Sequence, residues 1–232
     1  MILHVTDLHC NERWFEWLAG ASSRYSLVCM TGDLLNLNPY RAHHGQPDKV
    51  LSFLRRLKTP LALVSGNHDS MQGAGPRLEN AQWMREACLG RVYADGDSFM
   101  HSGLLFRCLA WRGRLPTPGP NEVWLHHAPP SLAGTSLSRG GCDFADFDLG
   151  EQMREGRGPR LVLSGHVHDP VRMADSVGGS WSLNPGFAGN SPVPNYFEVD
   201  LGKGIAAHSR ASGGGATVRL WQPLKIIEND RQ

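Results

Sequence analysis

Five short apolar runs, at residues 2–6, 26–31, 61–65, 122–125 and 160–164, each stop at a cluster of ligand-type side chains. The clusters are Asp7-Leu8-His9, Gly32-Asp33, Gly66-Asn67-His68-Asp69, His126-His127 and Gly165-His166-Val167-His168. An uninterrupted apolar run of this length reads as a strand buried on both faces. Between the runs, residues 11–18, 47–57, 80–88 and 147–154 carry helical apolar spacing, and Pro47 suits a helix start. Strand and helix alternate, which predicts an α/β first half with parallel strands. In open sheets of that kind ligands bind beyond the carboxyl ends of the strands, so the five clusters are expected to converge on one crevice.

The second half changes character. Residues 98–111 read as a hairpin turning at Ser102-Gly103, and residues 171–183 as another turning at Gly178-Gly179. After Pro194 come strand-like stretches at 196–201, 205–209 and 217–221, with a glycine run at 212–215 between the last two. At 232 residues and 41% hydrophobic content the chain is long enough to bury one large core, so a single domain over 1–232 is expected, with strands from about 195 onward completing a sheet.

A formal charge of +1, from 23 basic and 22 acidic residues, gives no global field that would point to nucleic acid or an anionic membrane. Cys10, Cys29, Cys88, Cys108 and Cys142 are an odd set without CxxC spacing, which favours reduced thiols and a cytoplasmic setting. The opening MILHVTDLHC is too short and too polar for a signal peptide or a spanning helix.

Carboxylate, imidazole and amide oxygen together suit borderline metals such as Mn, Fe or Zn better than Ca or Mg alone. Two such ions about 3.5–4 Å apart activate water and neutralise phosphate oxygens, and one carboxylate must then bridge them.

The ordered set DxH, GD, GNHD, strand-end His and GHxH resembles the calcineurin-like metallophosphoesterase family, over residues 1 to about 190. The resemblance implies a four-layer α/β/β/α sandwich on two mixed β-sheets. It implies two divalent ions, Mn²⁺ first with Fe or Zn as alternatives, and hydrolysis of a phosphodiester or phosphomonoester by a metal-bridging hydroxide. By matching position, Asp7, His9, Asp33 and His168 would hold one metal and Asp33, Asn67, His127 and His166 the other, with Asp33 as the bridge. His68 would contact phosphate or protonate the leaving oxygen, and Asp69 would hold its imidazole. Adjacent residues on a strand face opposite ways, so only one of His126 and His127 reaches the metals. His127 is chosen because His127-Ala128-Pro129 matches the family's His-x-Pro.

The expected partner is a small phosphate ester, with no strong nucleic-acid footprint, no membrane, and an open oligomeric state. A phosphoprotein phosphatase of the related branch would show an arginine soon after Gly-Asp, then GNHE; this chain has Leu34-Leu35-Asn36 and Asp69. The rival readings are a nuclease and a non-catalytic metal-binding scaffold of the same fold.

Some features stay open. Asn184-Pro185-Gly186 is either a tight turn or a turn of the active site. Residues 132–148, containing Arg139-Gly140-Gly141-Cys142, read as a mobile surface loop, with shaping of a leaving-group pocket as the alternative. Cys10 reads as apolar filler. His43 and His44 beside Arg41 read as solvated loop residues. Trp111-Arg112 and Arg114 read as an exposed loop with one anchoring Trp.

Overall fold

The structure, a computed structural model, describes residues 1–36, 45–70, 81–87 and 91–222. Arg41, His43, His44 and Cys88 lie outside the described residues. In chain order the strands are β1 (Ile2–Val5), β2 (Leu27–Thr31), β3 (Leu61–Val64), β4 (Val92–Tyr93), β5 (Ser98–His101), β6 (Leu104–Leu109), β7 (Glu122–His126), β8 (Leu161–Leu163), β9 (Ala174–Val177), β10 (Ser180–Leu183), β11 (Tyr196–Asp200), β12 (Ile205–Ser209) and β13 (Gly215–Arg219). The α-helices are α1 (Glu12–Ala21), α2 (Gln46–Leu54) and α3 (Phe147–Arg154).

The strands form two mixed sheets, ordered β13-β12-β11-β1-β2-β3-β4 and β5-β6-β7-β8-β10-β9. In the first, β1 to β4 run parallel, while β11 pairs antiparallel with β1 and carries the β12–β13 hairpin outward. In the second, β6, β7, β8 and β10 run parallel, flanked by antiparallel β5 and β9.

Why the runs are apolar throughout is visible in how their residues divide. On β2, Leu27 and Cys29 join a cluster with Phe106, Val123, Leu125, Leu161 and Leu163 of the facing sheet. Their alternates Val28 and Met30 join Trp14, Phe15 and Leu18 of α1 and Val50, Leu51 and Leu54 of α2. On the other sheet, Trp124 and Val162 meet Leu149 and Met153 of α3. Strand period two thus sends alternate residues into a sheet-to-sheet core and a sheet-to-helix core, giving four layers, α/β/β/α.

The expected helix at 80–88 is instead a 3₁₀ segment, Gln82–Ala87. Trp83, Met84 and Ala87 are buried as the spacing suggests. Six residues anchored through the Trp83 indole to the Asp69 carbonyl are too few to recover the cost of an α-helical nucleus. No helix among the described residues is long and apolar enough to cross a membrane.

Candidate metal centre

The carboxyl ends of β1, β2, β3, β7 and β8 meet at one edge of the sandwich, and their loops are cross-linked there. Beyond the strands the first two loops stay zipped, with His9 N donating to Asp33 O (2.9 Å) and Cys10 N to Leu34 O (2.8 Å). Asp7, His9, Asp33 and His166 all adopt left-handed backbone conformations (φ 52°, 43°, 52° and 68°). Each such non-glycine residue costs on the order of 1–3 kcal/mol and persists only where its surroundings impose it.

Both carboxylates are divided between scaffold and site. Asp7 Oδ2 receives the His166 amide (3.1 Å) and the Thr6 hydroxyl (2.7 Å), while Oδ1, fully buried, has no hydrogen-bond partner. That free oxygen lies 3.4 Å from His168 Nε2 and 3.9 Å from His9 Nε2. Asp33 Oδ1 receives the His68 amide (2.9 Å), leaving Oδ2 3.3 Å from His127 Nε2 and 3.8 Å from His68 Nε2.

The imidazoles are oriented from behind. His127 donates Nδ1–H to Thr31 O (2.7 Å) and His9 donates Nδ1–H to Leu35 O (3.2 Å), since a carbonyl only accepts. Their Nε2 atoms therefore point into the site. His9 Nε2 faces His168 Nε2 at 3.1 Å, and His127 Nε2 faces Asn67 Oδ1 at 3.1 Å. Aromatic walls back both groups. Phe187 stacks on His168 (4.6 Å between ring centres) and meets His9 edge-on, while Trp111 packs against His127 (5.5 Å) and His166 (5.2 Å).

Asp7, His9 and His168 form one compact donor group and Asp33, His127 and His166 another, with His9, Asp33 and His68 between them. Burial raises the Asp7 and Asp33 carboxyls, yet the surrounding imidazoles outweigh it and hold both below the usual range. Burial pushes the His166 imidazole down to about 4, and His9 downward as well. His127 goes the other way: burial lowers it, but Asp33, Asp7 and the Thr31 carbonyl carry it to about 9. Three electron-rich atoms, His127 Nε2, Asn67 Oδ1 and Asp33 Oδ2, converge with nothing positive between them except a proton or a cation.

Strand parity decides the adjacent histidines. Trp124 and His126 share the α3 side of β7, where His126 Nε2 pairs with Asp146 Oδ2 at 2.9 Å, and Asp146 also caps α3 through Leu149 N. His127 falls on the opposite side, in the crevice. Asp69 has partners the sequence did not suggest: Oδ1 accepts from Leu35 N (2.9 Å) and Oδ2 from Gly66 N (2.8 Å), tying the second and third loops together. Burial, then repulsion from Asp33, pushes its carboxyl up to about 8. The motif glycines have a steric cause. A Cβ at Gly66 would overlap Asp33 Oδ1, and one at Gly165 would overlap Thr6 Oγ1.

Two open readings resolve. The Asn184 carboxamide bonds Gly165 O, Val167 O and Gly186 N, so this turn clamps the GHVH loop. The 132–148 loop is pinned rather than loose: Phe144 N donates to Ser136 O (3.1 Å), Arg139 N to Asp169 O (2.9 Å) and Val171 N to Leu137 O (2.8 Å). Ser138 and Phe144 line the cleft together with Asp33, Asn67, His68, His166 and His168. Cys10 gives its thiol hydrogen to Gln46 Oε1, and burial raises it to about 11, so its sulfur is no ready ligand. Phe187 and Thr6 carried no sequence signal beyond proximity to a motif.

Among curated proteins, none matches the chain. Among solved structures, TT1561 of Thermus thermophilus is 16% identical, with a TM-score of 0.55 over 95% of this chain and 98% of its own. The phosphoesterase YfcE of E. coli is 18% identical, with a TM-score of 0.50 over 95% and 99%. The purple acid phosphatase PPD1 from yellow lupin (Lupinus luteus) seeds is 14% identical, with a TM-score of 0.57 over 94% of this chain and 53% of its own. At such identities the likeness speaks for the fold. The calcineurin-like phosphoesterase family model matches residues 1–170, a span that holds all five clusters, and the chain belongs to that family.

Proposed function

We propose that this chain is a dinuclear metal-dependent phosphoesterase, with Asp7, His9, Asp33 and His168 holding one divalent cation and Asp33, Asn67, His127 and His166 the other. The observation that carries the reading is Asp7 Oδ1, a fully buried carboxylate oxygen whose only polar neighbours among the described residues are the Nε2 atoms of His168 and His9, at 3.4 Å and 3.9 Å. A buried charge left so is strongly unfavourable, and a shared cation removes the penalty. The donor set of oxygen and imidazole supports Mn²⁺, with Fe or Zn as the alternatives. When bound, the two ions supply the Lewis acidity that activates water and offsets phosphate charge.

The remaining chemistry falls to side chains. His68 sits partly exposed in the cleft, held through its own backbone amide by Asp33, so its ring is presented to substrate and suits proton donation to a departing alkoxide. The substrate is a phosphodiester or a phosphomonoester of modest size.

The test is elemental analysis of Mn²⁺-loaded protein together with hydrolysis of an aryl phosphodiester and an aryl phosphomonoester. Two ions per chain are expected, with turnover abolished by chelation and restored by Mn²⁺. One ion per chain, or full turnover after verified metal removal, would overturn the reading.

A further inference from the structure

Six large hydrophobic side chains stand exposed among the described residues, and four of them, Leu132 (67%), Phe144 (47%), Phe147 (68%) and Val171 (49%), belong to the segments that border the metal cleft. The 132–148 loop, which carries the first three, is built, not frayed. Leu132 is held at φ 61°, a conformation costly for leucine, with its amide on Asp143 Oδ2 (3.0 Å). Short bridges join Leu137 to Asp143 and Ser138 to Pro170. Phe144 is the member inside the cleft itself, a space of about 390 Å³, where its ring meets His166 edge-on with 6.1 Å between ring centres.

A rigid aromatic face kept in water beside a donor group is explained by what arrives there. We propose that the organic group esterified to the phosphate is an aryl substituent, and that Phe144 is the surface that receives it. The proposal rests on the phosphoesterase reading for the position of the phosphate and adds the chemistry of the rest of the substrate. With the phosphorus held at the donor groups, an ester substituent has a wall of aromatic carbon on the Phe144 side. An aryl ring gains offset or edge-on stacking against that wall as well as burial.

Phosphonates, which resist hydrolysis, separate binding from turnover. On Mn²⁺-loaded protein, calorimetry should find phenylphosphonate bound roughly tenfold more tightly than methylphosphonate, a difference of about 1.4 kcal/mol. Phe144→Ala should bring the two affinities to within about twofold, while Phe144→Leu should keep most of the preference. Equal affinities in the unaltered protein overturn the proposal, and so does a preference that survives in Phe144→Ala. Sedimentation in parallel covers the rival use of the patch: a dimer that Phe144→Ala dissociates, with no phenyl preference, assigns it to self-association and sinks the proposal. Hydrolysis of an aryl ester without any phenyl preference refutes the subsite alone. A Phe144-dependent preference in a protein that hydrolyses no ester refutes the hydrolase reading and leaves the subsite standing.

Discussion

Asn184 lies at the end of β10, wholly buried, where three loops meet. Its Nδ2 lies 2.9 Å from Gly165 O, 3.1 Å from Val167 O and 3.2 Å from Thr135 O, and its Oδ1 accepts from Gly186 N at 2.9 Å. Two amide hydrogens serve three carbonyls, so Asn184→Ala strands at least two carbonyls and one amide away from water. Each stranded group costs roughly 1–3 kcal/mol, and partial relaxation brings the expected sum to about 3–5 kcal/mol. At about 2–4 °C per kcal/mol for a chain of this size, the melting midpoint of the metal-free protein should fall by about 10 °C. Asn184→Asp has the same shape without the amide hydrogens and should do no better.

The loss should reach the metal centre because the clamped carbonyls belong to Gly165 and Val167, on either side of His166. Titration of the variant with Mn²⁺, at a temperature where it is folded, should show weakened binding in the group that contains His166. A midpoint shift below about 2 °C would refute the assignment of Asn184 as a clamp. A large shift with unchanged Mn²⁺ affinity would refute the link from clamp to centre.

His127→Ala should lose one of two bound metals by elemental analysis. His126→Ala should keep both but lower stability by about 1–3 kcal/mol, since the partner of the Asp146 cap is gone. His68→Ala should reduce kcat by roughly 10² to 10⁴ for an alkyl leaving group and by much less for a nitrophenolate, with metal content unchanged. An equal loss on both leaving groups would assign His68 to gripping phosphate.

How much of this was legible in the sequence depends on the range of the contacts. Strands, their two covered faces and the convergence of five clusters follow from local periodicity and from a general property of α/β sheets. Strand parity limits the choice to one of His126 and His127, and the match of His127-Ala128-Pro129 to the family's His-x-Pro picks His127. What stayed hidden are contacts with no local signature: Phe187 on His168, Trp111 on His127, and the Asp69 carboxylate on the Leu35 and Gly66 amides. The sequence places Asp69 beside the His68 ring but does not show the loop from β2 that folds over it and whose Leu35 amide its carboxylate accepts. The 132–148 loop misled for a related reason. Its glycines and polar residues spell mobility, while two of the bonds that pin it come from Asp169 and Val171, beyond β8.

The division of each carboxylate between scaffold and site bears on which substitutions report on metals and which report on folding. Asp7 and Asp33 each give one oxygen to a backbone amide of another loop, His166 N and His68 N, so the residues that present charge to the centre also hold its walls in register. Truncating either to Ala removes a proposed ligand and a cross-link together, and a loss of activity would then say nothing about which mattered. An Asp→Asn change at these positions can keep the scaffold oxygen as a carbonyl acceptor while replacing the site-facing oxygen with a donor that repels a cation. His168 carries no such cross-link, its ring being held by stacking on Phe187, whereas the His9 ring ties its own loop to the second through Leu35 O. The strained backbone at Asp7 and Asp33 fits the same logic, since a residue that must satisfy an amide on one side and a charge cluster on the other has little freedom in φ. Metal occupancy is therefore read most cleanly from His168, and the coupling between occupancy and fold from the carboxylates.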